Sequence, residues 1–184
     1  LAVVGLAAAA GIAYPLARAA MRKGPSEYGS WSMCLGTAWI LVGVAVVAQH
    51  AWAAGTGEQL RAANLPWLPI IGAGGLGQVF IGALTYLMPV VIGGGPRAVR
   101  VGVGALEAAA PMREASRNAA LVLLAAATAS QAPAAAPLAT ACWAVVLATY
   151  LADIALMARA GTAQARARTA PPSPSPSNTG GLRG

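Results

Sequence analysis

Apolar residues run along this chain in long stretches, separated by short gaps that hold most of its charge. Residues 62–96 contain no charged side chain at all. About 20 consecutive apolar residues are enough to cross the hydrocarbon core of a bilayer, so this stretch predicts a membrane span. The same pattern predicts five spans, at residues 1–17, 31–53, 67–92, 112–131 and 138–158. In the fourth, the apolar run before Pro133 and Pro137 is short. Residues 112–118 are expected to extend it, with Arg113 and Arg117 reaching toward the headgroups. Backbone polar groups cannot stay unpaired in lipid, so spans are helices or closed barrels. The runs lack the short alternating segments of a barrel, which leaves helices. The expected fold is an all-α, polytopic transmembrane helix bundle over residues 1–160. A Pro/Ser-rich cytoplasmic tail over residues 161–184 is expected to be disordered.

Within the runs, small and polar residues recur at helical spacing. Gly75, Gln78, Gly82, Thr85 and Pro89 fall on one face of the third span, while Leu76, Phe80, Leu84 and Leu87 fall on the opposite one. Small residues let helix backbones approach closely, and a buried Gln hydrogen-bonds across such a contact. Gly75, Gln78, Gly82 and Thr85 therefore form an expected helix-packing face, with the Leu/Phe face toward lipid. In the second span Gly36, Gly43 and His50 are seven apart. Residues 72–77 also match the G-x-G-x-x-G dinucleotide fingerprint. That motif needs a preceding strand and an acidic residue about 20 positions on, where this chain has Arg97. Residues 97–118 suggest a surface amphipathic helix, weakened by Gly102, Gly104 and Pro111.

Composition agrees with a lipid environment. The chain is 58% hydrophobic and 9% charged, with a mean hydropathy of +0.64, whereas soluble domains are about a quarter charged. The formal net charge of +7 is not gathered into a patch of the kind that binds nucleic acid, so no nucleic-acid partner is expected. Eleven of the twelve basic residues fall in gaps on one side of the predicted spans, and only Arg61 falls on the other. By the positive-inside rule that side is the cytoplasm, which also holds the C-terminus. Abundant Ala, Gly and Pro, with Arg far commoner than Lys, point to a GC-rich bacterial genome and so to a bacterial plasma membrane. The chain opens without Met, already inside an apolar run, and is expected to be the C-terminal part of a longer protein.

Candidate chemistry is sparse. His50, the single histidine, is a weak candidate cofactor ligand beside an interfacial hydrogen-bonding role. Asp153 is the one acid inside an apolar run and shares a face with Ala139, Cys142, Val146 and Thr149. It is a candidate proton or ion site, with pairing to an Arg near the inner headgroups as the alternative. No Ser/His/Asp set, paired carboxylates within a span, phosphate loop or metal-ligand cluster is legible. Cys34 and Cys142 fit no disulfide or metal spacing. The chain is not expected to be catalytic on its own.

Residues 77–96, from Gly77-Gln-Val-Phe-Ile-Gly-Ala-Leu-Thr-Tyr through Pro96, resemble a segment of large actinobacterial membrane proteins. Those in turn distantly resemble the haem–copper oxidase subunit I and nitric-oxide-response membrane protein group. The resemblance implies a many-helix bundle whose histidines bind haem and copper. With a single histidine here, haem or copper would need most of its ligands from upstream sequence. Three functional classes follow: a redox-type membrane protein, a small-solute or ion permease, and a non-catalytic scaffold or subunit. The expected partners are the lipid bilayer and other membrane helices or subunits.

Overall fold

Glycines spaced seven residues apart leave a strip without side chains along a helix, and a second helix fills it. In the computed structural model, residues 27–169 are described, together with positions 7, 10, 11, 14, 15 and 18. Helix α1 (Tyr28–Ala53) carries Gly29, Gly36 and Gly43 on one face. The chain then forms one continuous helical stretch, Gly57–Ile92. It comprises α2 (Gly57–Asn64), a 3₁₀ turn at Leu65–Trp67, α3 (Leu68–Ile71), a π-helical segment at Gly72–Gly77, and α4 (Gln78–Ile92). It runs antiparallel to α1. A Cβ placed on Gly29 would lie 2.9 Å from the Gly82 carbonyl oxygen, and one on Gly36 would lie 2.8 Å from the Gly75 carbonyl oxygen. The two backbones therefore touch, which only glycine permits at these positions.

Thr56 starts α2, its hydroxyl accepting from the Gln59 amide at 3.3 Å. The positive φ angles of Gly93, Gly94 and Gly95 (66°, 98° and 83°) turn the chain after α4. Helix α5 (Gly95–Leu106) buries Ala98, Gly102 and Leu106, one turn apart, and exposes Arg97 and Arg100. Gly94 and Gly102 bring it against Arg168 and Gln164. Ala109, at φ 52°, separates it from α6 (Ala110–Ser130). A 3₁₀ turn at Pro133–Ala135 leads into α7 (Ala136–Thr169), antiparallel to α6. Among the described residues the fold is all helix, with no strand.

Among the described residues, three stretches are long and apolar enough to cross a membrane: Tyr28–Ala53, Gly57–Ile92 and Pro133–Thr169. The expected first span, residues 1–17, lies outside the described residues apart from its isolated positions. The expected fourth span is present as a helix but fails the same test, because Arg113, Glu114 and Arg117 crowd its first half. The expected disordered tail begins too early: α7 continues to Thr169, held by α5 against its last turns. Residues 170–184 lie outside the described residues. The amphipathic helix suggested over residues 97–118 is two helices, α5 and the start of α6.

Burial is distributed as lipid solvation requires. Leu76, Phe80 and Leu87 stand exposed on one side of the second stretch, as do Leu147, Leu151 and Ile154 on α7. Gly75, Gln78, Gly82, Thr85 and Pro89 are buried on the inner side. The interior holds an apolar cluster of Trp39, Ile70, Leu121, Leu124, Cys142 and Val146. Next to it are side chains that lipid could not solvate.

Gly36→Leu is expected to destabilise the bundle by about 1–3 kcal/mol, because its side chain must displace backbone. Gly57→Ala, where nothing lies within 4 Å of the added Cβ, is expected to be neutral or slightly stabilising. Thermal unfolding in detergent micelles, followed by circular dichroism, checks both.

Candidate functional site

Arg113, Glu114, Arg117 and Asn118 are spaced so that they share one face of α6. That face turns inward. Arg117 is 0% exposed, Arg113 8% and Glu114 7%. They meet Asp153 of α7, 1% exposed, whose own face presents Thr149, Val146 and Cys142. Arg113 Nη1 pairs with Asp153 Oδ1 and Arg117 Nη2 with Asp153 Oδ2. The Tyr28 hydroxyl at the start of α1 donates to Asp153 Oδ1 at 2.7 Å. Each guanidinium also lies over an aromatic ring, Arg113 over Tyr28 and Arg117 over Tyr150, both at 4.2 Å. Two further donors are used: Arg113 Nη2 donates to the Leu106 carbonyl at 2.6 Å, and Arg117 Nε to Thr149 Oγ1 at 3.1 Å. An isolated charge in a low-dielectric interior costs several kcal/mol; here each charge has an opposite partner and further hydrogen bonds.

The network continues away from Asp153. Asn118 Oδ1 accepts from Trp39 Nε1 at 2.9 Å and from Gln78 Nε2 at 3.1 Å. Asn118 Nδ2 donates to Glu114 Oε2 at 3.2 Å. Ser32 donates to the Gln78 carbonyl at 3.0 Å. The Tyr150 hydroxyl donates to the carbonyl of Ala73 inside the π-helical segment, where wider turns leave backbone groups for outside partners. Side chains of α1, α4, α6 and α7 are thus joined in one polar path. From Tyr28 to Trp39 it extends about 16 Å along α1.

Three buried atoms in the path have no hydrogen-bond partner: Arg113 Nε, Arg117 Nη1 and Glu114 Oε1. The last two face each other at 3.8 Å, beyond hydrogen-bonding reach. Glu114 also lines a cavity of 370 Å³ with Tyr28, Trp31, Leu35, Glu107 and Pro111. The path therefore ends at a buried carboxylate oxygen facing Arg117, on a residue that also borders the cavity.

The residues singled out from the sequence separate into two groups. Asp153, Gln78, Gly75, Gly82 and Thr85 lie in or against the network. His50 does not: its Nδ1 is 2.8 Å from Asn64 Oδ1 and its ring meets Trp67 edge-on at 6.5 Å. A second cavity, of 660 Å³, lies there, far from Asp153 along α1, bordered by Gln49, His50, Trp67 and Gln131. Among the described residues no three His, Cys, Asp or Glu side chains come together to hold a metal ion, and His50 stands apart from the network. The G-x-G-x-x-G match at residues 72–77 is π-helical, with helix before it rather than a strand, so it does not form the dinucleotide-binding turn.

Arg113 and Arg117 do not reach the headgroups as expected; they turn inward because Asp153 neutralises them there. Asp153 pairs with these two arginines of α6 and not with the neighbouring Arg159. Sequence reasoning missed Arg113, Glu114, Arg117, Asn118, Tyr28 and Tyr150 as one site. The available signal was the shared helical face of the four α6 residues, directly before an apolar run. No protein-family model, curated protein or solved structure matches this chain.

Asp153→Asn leaves two buried arginines with one carboxylate, Glu114 at 3.8 Å from Arg117, to balance them, and is expected to cost about 3–5 kcal/mol. Combining it with Arg117→Gln is expected to cost less than the two changes summed, by about 1 kcal/mol or more. Denaturant titration in mixed micelles measures the cycle; full additivity would contradict the pairing.

Proposed function

We propose that the chain is the membrane-embedded helix bundle of a small-solute or ion permease, with Glu114 as its exchangeable group. The observation that carries this reading is Glu114, a buried acid bordering a cavity, whose Oε1 accepts no hydrogen bond and faces Arg117 Nη1 at 3.8 Å. Ionisable groups inside membrane helices are costly to maintain and mark ion or substrate paths. Asp153 is the fixed member of the pair: two arginines and Tyr28 occupy its oxygens, so a cation reaching it would have to displace them. Glu114 keeps an oxygen free of hydrogen bonds, so binding there breaks none.

In this reading α6 is a span despite its charges. Their hydration is replaced by Asp153, the two tyrosines and Asn118 within the bundle. With residues 1–17 as a further span the bundle has five, multi-pass in a bacterial plasma membrane. The distribution of Arg and Lys supports a cytoplasmic C-terminus. The side bearing Tyr28, Glu107 and the last turns of α7 then faces the cytoplasm.

Dye-loaded proteoliposomes given gradients of H⁺, Na⁺ or K⁺ test the function. The full chain is expected to dissipate at least one gradient faster than protein-free vesicles do. Glu114→Gln is expected to return the rate to the protein-free level while helical content is kept, and Glu58→Gln to leave it unchanged. Vesicles as tight as protein-free ones to all three ions overturn the ion reading. For topology, a cysteine placed at Glu58 is expected to label from the outside only; labelling from the cytoplasmic side reverses the orientation.

A further inference from the structure

We propose that the cavity beside Glu114 binds an organic ammonium group. The inference deepens the permease reading and rests on its choice of Glu114 as the exchangeable group. Tyr28, Trp31, Leu35, Glu107, Pro111 and Glu114 line the cavity, which combines two carboxylates with apolar and aromatic surface. The charged residues of the lining are both acids, Glu107 and Glu114. Glu107 Oε1 is anchored by the Tyr28 amide at 2.8 Å, which fixes its position at the mouth. Glu114 is 7% exposed, and its Oε1 accepts no hydrogen bond. It lacks a donor, and an N⁺–H is the strongest kind available to a carboxylate.

The remaining walls select the rest of the ligand. One ring of the lining is already engaged, since Arg113 lies over Tyr28 at 4.2 Å. Trp31 is 49% exposed and offers an indole face to a cation, the best of the aromatic rings for this purpose. Leu35 and Pro111 provide apolar contact for carbon attached to the nitrogen. The volume of 370 Å³ is about a dozen times the share of one water in the liquid, far more than a bare ion fills. Hard divalent cations need about six oxygen ligands, and two carboxylates beside apolar walls do not supply them. An alkylammonium matches the lining on both counts. Its source is either a free amine or the ethanolamine headgroup of a lipid, since the cavity is lined by the exposed Trp31.

Calorimetric titration of hexylammonium chloride into the full chain in phosphatidylcholine nanodiscs tests this. Saturable binding is expected, weakened about tenfold or more by Glu114→Gln and more mildly by Glu107→Gln and Trp31→Ala. Hexanol is expected not to compete. Nanodiscs of equal phosphatidylcholine and phosphatidylethanolamine separate the sources: lost hexylammonium binding there assigns the lipid headgroup, and retained binding assigns a free amine. Unchanged affinity in a folded Glu114→Gln, or equal binding of hexanol, overturns the ammonium site. Binding without flux of hexylammonium or of any of the three ions in proteoliposomes removes the permease reading and leaves the site. Flux without hexylammonium binding does the reverse.

Discussion

Asp153 cannot be buried alone, and most of the packing follows from how its charge is met. Two arginines one helical turn apart on α6 take one carboxylate oxygen each. That requires α6 and α7 to run antiparallel with Arg113 level with Asp153 and Arg117 level with Thr149. The hydroxyl of Tyr28 then sets the height of α1 against both. In water such a network adds little beyond what its desolvation costs. Within the bundle, the alternative is an unpaired charge in a low-dielectric interior, so the same contacts fix register strongly.

The glycine strip answers a different constraint. Apolar packing alone gives helices in lipid little reason to associate, because lipid tails are as apolar as leucine. Gly29, Gly36 and Gly43 let α1 lie backbone to backbone against Gly75 and Gly82. That close approach is what places Ser32 and Trp39 of α1 within reach of Gln78 and Asn118. Gly77 serves the third contact: a Cβ there would meet the Tyr150 hydroxyl at 2.6 Å, and that hydroxyl donates to Ala73 in the π-helical segment. Loss of side chains at these positions thus permits the polar path to close across four helices.

Closure is incomplete at three buried atoms, Arg113 Nε, Arg117 Nη1 and Glu114 Oε1. The carboxylate of Glu114 is held through one oxygen and left without a hydrogen-bonding partner at the other. Positions of this kind are costly unless something fills them, and the adjoining cavity supplies the room. The functional proposal and the ligand class both follow from this one atom, while Asp153, the more conspicuous acid in the sequence, is the anchor that keeps it in place.

The residue pattern by itself determined the all-helical class, the membrane-length stretches, and the small-residue face of Gly75, Gln78, Gly82 and Thr85. These properties depend on composition and on a 3.6-residue period, and both are local. Gly29 lies before the expected span at residues 31–53 and was not singled out, although it stands one step ahead of the series Gly36, Gly43 and His50. Whether Arg113 and Arg117 turn out to headgroups or in to Asp153 is not local, because both choices satisfy the same helix. Likewise α7 continues to Thr169 because Gly102 of α5 admits Gln164, whose amide bridges the carbonyls of Pro89 and Gly93. Only the tertiary structure decided these points, since the free energy of a buried charge or amide depends on which partners distant parts of the chain bring to it.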